Sequence, residues 1–323
     1  MGRVALRAAV LACIAGLPLV EPNGYWVHVF ALAAITAILA MGLQLLVGMA
    51  GLLSLGQAAF FGVGAYASAI ATAEHGVPFP LALPLSAGLA AAASLFLVPI
   101  VRLKGPSFAV ATLGFGIIVH LALMNEDGLT GGSIGIMGIA KPSIGGFAFD
   151  SERSVYWLCA AVGVAVFLAL ERLQHSRFGR ALQAIAQDED AARASGVMVL
   201  RTKSKCVLAA AFVAGLAGSL YAHAEGYLSP DDFAFTKSID LVIMVVVGGL
   251  GSLPGAVVGA ALLVVSAEFL RISGEFRLII VGVAVVVLTG IRSRGLAGLA
   301  GAAALQARSL WRRRAWPRPG AAR

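Results

Sequence analysis

The side chains able to cut bonds, hold metals or carry protons are few in this sequence and lie far apart. Five histidines, His28, His75, His120, His175 and His223, are widely scattered. None falls in the H-E-x-x-H spacing that sets two imidazoles on one helix face around zinc. No Gly-Lys dipeptide occurs, so the chain has no Walker A loop with which to cradle the phosphates of ATP. Cys13, Cys159 and Cys206 are an odd set inside apolar stretches and imply neither a disulfide framework nor a metal site. Glu225, Asp240 and Glu268 are the carboxylates nearest to apolar runs. Each would cost about 2.5–3.5 kcal/mol at the centre of a membrane helix, and they are expected at span edges or at the extracellular end. Mid-span charge of the kind that couples a carrier to protons or sodium is therefore scarce. No catalytic, cofactor-binding or metal-ligating residue is assigned, and the chain is not expected to be an enzyme.

One polar stretch has helical order. In Ser176-Arg177-Phe178-Gly179-Arg180-Ala181-Leu182-Gln183-Ala184-Ile185, the residues Ala181, Leu182 and Ile185 recur on one face. Asp188-Glu189-Asp190 then opens a second short helix with acids in its first turn, where the helix dipole favours them. Gly196 is placed to end it in the left-handed conformation. A short amphipathic helix of this kind is what a partner's groove can grip. A solvated connecting loop is the other reading.

The surroundings of that stretch follow from composition. Of 323 residues, 59% are Ala, Val, Ile, Leu, Met, Phe, Trp, Tyr or Cys and only 12% are charged, with mean hydropathy +0.91. Soluble domains carry about 25% charge, so an ordinary globular enzyme is excluded, as is a disordered chain. The 39 glycines show no G-X-Y period, which excludes collagen. What remains is an all-α polytopic membrane protein. With about 20 apolar residues per crossing, spans are expected near 4–20, 26–48, 54–73, 81–101, 106–124, 155–171, 206–226, 238–250, 254–270 and 277–291. That is about nine or ten transmembrane or half-spanning helices, and nothing alternates with the period of a barrel strand. Arg3 and Arg7 ahead of an apolar run resemble a leader, but the run continues to Val20 and further spans follow, so a retained first helix is expected.

The net charge of +8 reflects topology and not a nucleic-acid partner. With the N-terminus cytoplasmic, one side receives Arg3, Arg7, Arg102, Lys104, seven cations from Arg172 to Lys205 and eight from Arg292 to Arg323, which is 19 of the 24. The other side receives 12 of the 16 acids, so the positive-inside rule puts both termini in the cytoplasm. A transmembrane domain over 1–296 then contains an external loop, 125–154, whose many glycines suggest a flexible or turn-rich segment, and a cytoplasmic segment, 172–205. The basic tail 297–323 is expected on anionic lipid or disordered. Parity between 172–205 and the tail requires two crossings within Ile239–Leu270, so a hairpin of two short helices turning at Gly248–Gly255 is expected in preference to one helix kinked at Pro254. That break echoes Val47–Gly56. Paired broken segments mark a substrate path in some transporters, which would single out Ser54, Gly56, Gln57, Gly248, Gly249 and Gly251. Small residues that let helices pack closely explain the same pattern.

Asp190-Ala191-Ala192-Arg193-Ala194-Ser195-Gly196 resembles the E-A-A-x-x-x-G coupling loop of ABC-importer permeases, with Asp in place of the first Glu. Gly51-Leu52-Leu53-Ser54-Leu55-Gly56-Gln57-Ala58-Ala59-Phe60-Phe61-Gly62-Val63-Gly64-Ala65-Tyr66 resembles the N-terminal signature of branched-chain amino-acid permeases. Leu129-Thr130-Gly131-Gly132-Ser133, Ser229-Pro230-Asp231-Asp232-Phe233 and Gly248–Gly255 followed by Gly259-Ala260 continue the match, over roughly residues 26–296. Gly105-Pro106-Ser107 departs from the bulkier stretch common in the family. The loop at 130–133 and the length favour the LivM-like subunit over its LivH-like partner. The resemblance implies an ABC-importer permease fold and an assembly with a second homologous permease subunit, two ATPase subunits that bind the ATP, and an external substrate-binding protein. It implies a coupling role for Asp190, Ala191, Ala192 and Gly196, uptake of branched-chain amino acids across the inner membrane, and no cofactor in this chain. Urea or short-amide uptake by a related permease, and a stand-alone secondary carrier, are the alternatives.

Overall fold

A computed structural model of the chain describes residues 24–103 and 105–269. The spans expected at 4–20 and 277–291 and the basic tail lie outside the described residues. The first described helix, α1 (Gly24–Gln44), is apolar all round and buried from Ile35 to Gln44, as a helix enclosed by others must be. It runs into a π-helical turn, Leu45–Met49, where regular geometry breaks. Then follow α2 (Gln57–Ala73), α3 (Phe79–Ala93), α4 (Pro106–Asn125) and α5 (Glu152–Gln174). Two short helices, α6 (Arg177–Gln187) and α7 (Glu189–Ala194), precede α8 (Val199–Glu225), α9 (Phe235–Gly248) and α10 (Leu253–Phe269). Among the described residues, five segments are long and apolar enough to cross a membrane: Gly24–Met49, Phe79–Leu97, Pro106–Asn125, Glu152–His175 and Val199–Glu225. The chain is an all-α polytopic membrane protein.

Helices α1, α2 and α8 form the core, with α3 on α8, and with α5 and α10 on α1. Lipid gives apolar side chains no reason to leave it, so association rests on close contact and interhelical hydrogen bonds. A Cβ on Gly64 would lie 2.4 Å from Gly215 Cα, and one on Gly218 2.3 Å from the Phe61 carbonyl oxygen. The same contact surface carries Ser68, whose hydroxyl bonds that of Ser219 at 2.7 Å and the His223 ring at 3.2 Å. The outward faces of α3 and α4 are greasy: Leu81, Val110 and Ile118 are 61%, 68% and 67% exposed, as a lipid-facing or subunit-facing surface requires.

The expected hairpin is present. Gly248 and Gly255 meet backbone to backbone, Gly259 lies against the Met244 carbonyl, and the pair is antiparallel. Pro254 is the second residue of α10, where a missing N–H costs nothing, and does not kink a continuous helix. One boundary differs from expectation, and the loop at 125–154 takes the turn-rich of its two readings. Helix α8 starts at Val199 and not near 206, because its first turns bury Lys203 while Arg201 and Lys205 remain solvated. The loop at 125–154 is ordered. β1 (Ile136–Met137) pairs antiparallel with β4 (Tyr227–Leu228), and β2 (Ser143–Ile144) with β3 (Phe147–Ala148). The Ala140 carbonyl sits 2.7 Å from His223 Nδ1, so the loop is stapled onto α8, and its glycines serve tight turns.

Two substitutions test the packing. Gly218→Val should lower stability by about 1–3 kcal/mol or prevent folding. Gly88→Ala, with nothing within 4 Å of the added methyl, should change it by less than about 0.5 kcal/mol. Thermal unfolding of the purified protein in detergent reads both.

Candidate functional site

The stretch with helical order folds as an elbow. The Ser176 hydroxyl oxygen accepts the Gly179 N–H at 3.2 Å and starts α6. Leu182 and Ile185 then point inward while Arg177, Arg180 and Gln183 face out. At Asp188 the backbone is extended, and its carboxylate accepts the N–H groups of Asp190 at 2.9 Å and Ala191 at 3.0 Å. Such a cap contributes about 1 kcal/mol and satisfies donors that a six-residue helix would otherwise leave open.

Helix α7 is fastened on one face only. Ala192 packs with Ile185 and Val199 in a small apolar cluster. Glu189 Oε2 meets Lys203 Nζ at 2.6 Å, with the lysine side chain 4% exposed. On the outer face Arg193 pairs with Glu189 at 3.3 Å and with Asp190 at 3.1 Å. Asp190 and Ala191 are exposed, whereas Ala192 is buried. Gly196 ends the element at φ +85, with open space around its Cα. The left-handed backbone, and not crowding, is what demands glycine there. Val197 N–H then donates to the Ala192 carbonyl at 3.1 Å.

The elbow rests on the first broken segment, and that segment touches the second. A Cβ on Gly51 would lie 3.4 Å from Ala186 of α6. A Cβ on Gly48 would lie 2.6 Å from the backbone nitrogen of Gly251. Gln44 bridges the two. Two loop N–H groups aim at one end of its amide, which assigns the oxygen there, accepting from Gly251 at 2.5 Å and Ser252 at 2.6 Å. Gly248 and Gly249 are buried beside this contact, and Gly251 is exposed. Ser54, Gly56 and Gln57 lie farther along, buried where α2 begins. There the N–H groups of Leu55, Gly56 and Ala58 donate to the hydroxyls of Thr112, Ser54 and Ser238. Gln57 Nε2 donates to the Ala210 carbonyl at 3.2 Å, while its Oε1 has no partner among the described residues. The two segments thus form one packed seam.

The opposite end of the bundle is acidic. The His28 ring lies 3.1 Å from Glu152 and 3.3 Å from Glu225, Lys141 pairs with Glu152 at 3.1 Å, and the Tyr25 hydroxyl bonds Glu268. Glu225 therefore sits at the end of α8, as expected. Asp240 is exposed in the second turn of α9, two residues beyond the Ser238 that meets the start of α2. In the segment leading to α9, burial pushes the Asp232 carboxyl above the usual carboxylate range, opposed by the Ser229 N–H at 3.2 Å, the Lys237 ammonium and the Tyr221 hydroxyl.

Sequence reasoning missed the Glu189–Lys203 pair, whose partners lie 14 positions apart on different helices. It also missed Asp232 and Lys237 as neighbours. Gly131-Gly132-Ser133-Ile134-Gly135 has G-x-S-x-G spacing, but it follows a helical turn at Asp127–Thr130, not the strand that a nucleophile elbow needs.

The sequence pattern of the family described as "Branched-chain amino acid transport system / permease component" matches residues 25–289. The chain is 35% identical to the high-affinity branched-chain amino acid transport system permease protein LivM of Escherichia coli K12, over 89% of this chain and 73% of that one. A probable branched-chain amino acid transport permease protein LivM of Methanocaldococcus jannaschii is 26% identical over 51% of this chain and 48% of its own. The corresponding LivH of Escherichia coli K12 is 24% identical over 70% of this chain and 79% of its own. No solved structure matches.

Glu189→Gln strands the buried Lys203 ammonium and should cost about 3 kcal/mol, while Lys203→Met, which leaves Glu189 its Arg193 partner, should cost less. The double variant Glu189→Leu with Lys203→Met should recover most of that. Hydrogen exchange at the amides of residues 188–198 reads the outcome.

Proposed function

This chain belongs to the branched-chain amino acid transport permease family, and from that premise we propose that it is a membrane-spanning subunit of an ATP-driven importer of branched-chain amino acids. In this reading residues 1–296 form the permease domain and lie in the bacterial inner membrane. Both termini face the cytoplasm, and the tail 297–323 rests on anionic lipid. A second, homologous permease subunit completes the channel, two ATPase subunits bind the ATP, and an external binding protein delivers the solute.

The observation that carries the reading is the one-sided fastening of α7. Its Asp190–Ala191 face is open to a partner, while its other face is tied to α8 by Glu189–Lys203. A push on the open face therefore moves α8 and α6 together, and α6 bears on the break at Gly51. Asp190, Ala191, Ala192 and Gly196 are the coupling residues. Ser54, Gly56, Gln57, Gly248, Gly249 and Gly251 are the inner gate of the translocation path, closed in this conformation. Two packings of such a seam, and not side-chain chemistry, constitute the mechanism. The orphaned Oε1 of Gln57 is consistent with a second arrangement of the gate.

The two alanines separate docking from folding. Ala191→Arg alters only the exposed face and should lower leucine uptake at least about tenfold with the protein normally inserted. Ala192→Arg, placed in the apolar cluster, should destabilise the elbow itself. Gly196→Val should also uncouple, through backbone strain of about 1–3 kcal/mol. Uptake into proteoliposomes containing the full complex, with ATP inside and binding protein outside, gives the answer, and undiminished uptake by the Ala191→Arg complex rejects the coupling assignment.

A further inference from the structure

Lys237 is the cation least accounted for by the fold. It lies in the first turn of α9 and is half-buried, yet it makes no side-chain hydrogen bond or ion pair among the described residues. Carboxylates surround it at longer range: Asp232 in the preceding turn, Asp240 one helical turn on, and Glu225 at the end of α8. A partly enclosed charge without a direct partner is costly, and in membrane proteins such residues mark solute pathways.

The neighbourhood is chemically specific. Phe233 meets Phe61 at a tilt, with ring centroids 5.2 Å apart, and meets Tyr66 and Tyr221 edge-on at 5.7 Å and 6.1 Å. Three of these rings are buried, and Tyr221, half-buried, borders the surface. The Tyr221 hydroxyl is among the groups that favour the charged form of the Asp232 carboxyl. The Tyr66 hydroxyl is fully buried, has no hydrogen-bond partner among the described residues, and lies in the electrostatic field of Asp231 and Asp232. One neighbourhood thus combines an anion, a cation, an orphan hydroxyl and a cluster of aromatic rings.

We infer that Asp232 and Lys237 form an acceptor site for the zwitterionic headgroup of the transported amino acid, with the carboxylate of Asp232 facing the ammonium and the ammonium of Lys237 facing the carboxylate. The inference rests on the function proposed above and adds the residues that receive the solute. A zwitterion entering a low-dielectric channel must have both charges matched or lose its hydration uncompensated. An aliphatic side chain meets the exposed edge of Tyr221. The site lies at the end opposite the α6–α7 elbow, where a solute delivered from outside would arrive.

The test uses the complete transporter, with its partner permease, ATPases and binding protein, in proteoliposomes. Lys237→Met and Asp232→Asn should each cut initial leucine uptake by about tenfold or more, while Lys237→Arg keeps it within about threefold of the parent. ATP hydrolysis stimulated by the loaded binding protein should persist within about twofold in all three, which a merely structural role would not allow. Neutral variants that take up leucine like the parent overturn this site alone. Stimulated hydrolysis that falls in parallel with uptake also overturns it, because the residues are then structural. A parent complex that moves no branched-chain amino acid overturns the proposed function, and this site with it.

Discussion

The near-contact of α2 and α8 at Gly64, Gly215 and Gly218 is the constraint from which the rest of the arrangement follows. In a bilayer the helices cannot be driven together by fleeing the solvent, so the axes must come close enough for dispersion and polar contacts to act. Backbone atoms at Gly218 and Phe61 leave no room for a methyl group. With α8 pinned to α2 along this line, the Ser68–Ser219 hydrogen bond and the His223 ring fall into register. The chain then reaches Ala140 at one end of α8, and Lys203 reaches Glu189 at the other. One helix thereby connects the elbow to the opposite end of the bundle.

That connection explains how a chain without reactive chemistry can do work. The elbow is stiffened by local means, a carboxylate cap at Asp188 and a left-handed glycine at 196, and is attached by an ion pair enclosed from solvent. A buried pair of this kind is a poor source of net stability but resists separation strongly, because either charge left alone is expensive. It suits a joint that must transmit force without slipping. The seam at Gly48, Gly251 and Gln44 has the opposite character: glycine backbones in contact, bridged by one amide, can slide with little steric penalty.

Much of this was legible in the sequence because it was local or periodic. Apolar run lengths located the helices, charge parity required the α9–α10 hairpin, and Asp188 to Gly196 carried its own start and stop signals. The pairing of the two glycine-rich breaks was visible as an echo, but their contact through Gln44 was not, since nothing local ties residue 44 to residue 251. The ion pair of Lys203 with Glu189, made between two helices, was hidden for the same reason. The glycines of the loop at 125–154 left two readings open, because left-handed turns in a ribbon and slack chain have the same composition; the pairing of Ile136 with Leu228 distinguishes them in favour of turns.

Helix α9 has 14 residues, a length of roughly 21 Å against a hydrocarbon slab of about 30 Å. It also turns Phe235 and Ile239 outward. Were this flank bathed in lipid, the leaflets would have to pucker toward it, at a cost of fractions of a kcal/mol for every ångström of mismatch. A neighbouring subunit laid along the flank would remove that distortion. Hydrophobic mismatch would then favour assembly before any specific contact forms, more strongly in thick membranes than in thin ones.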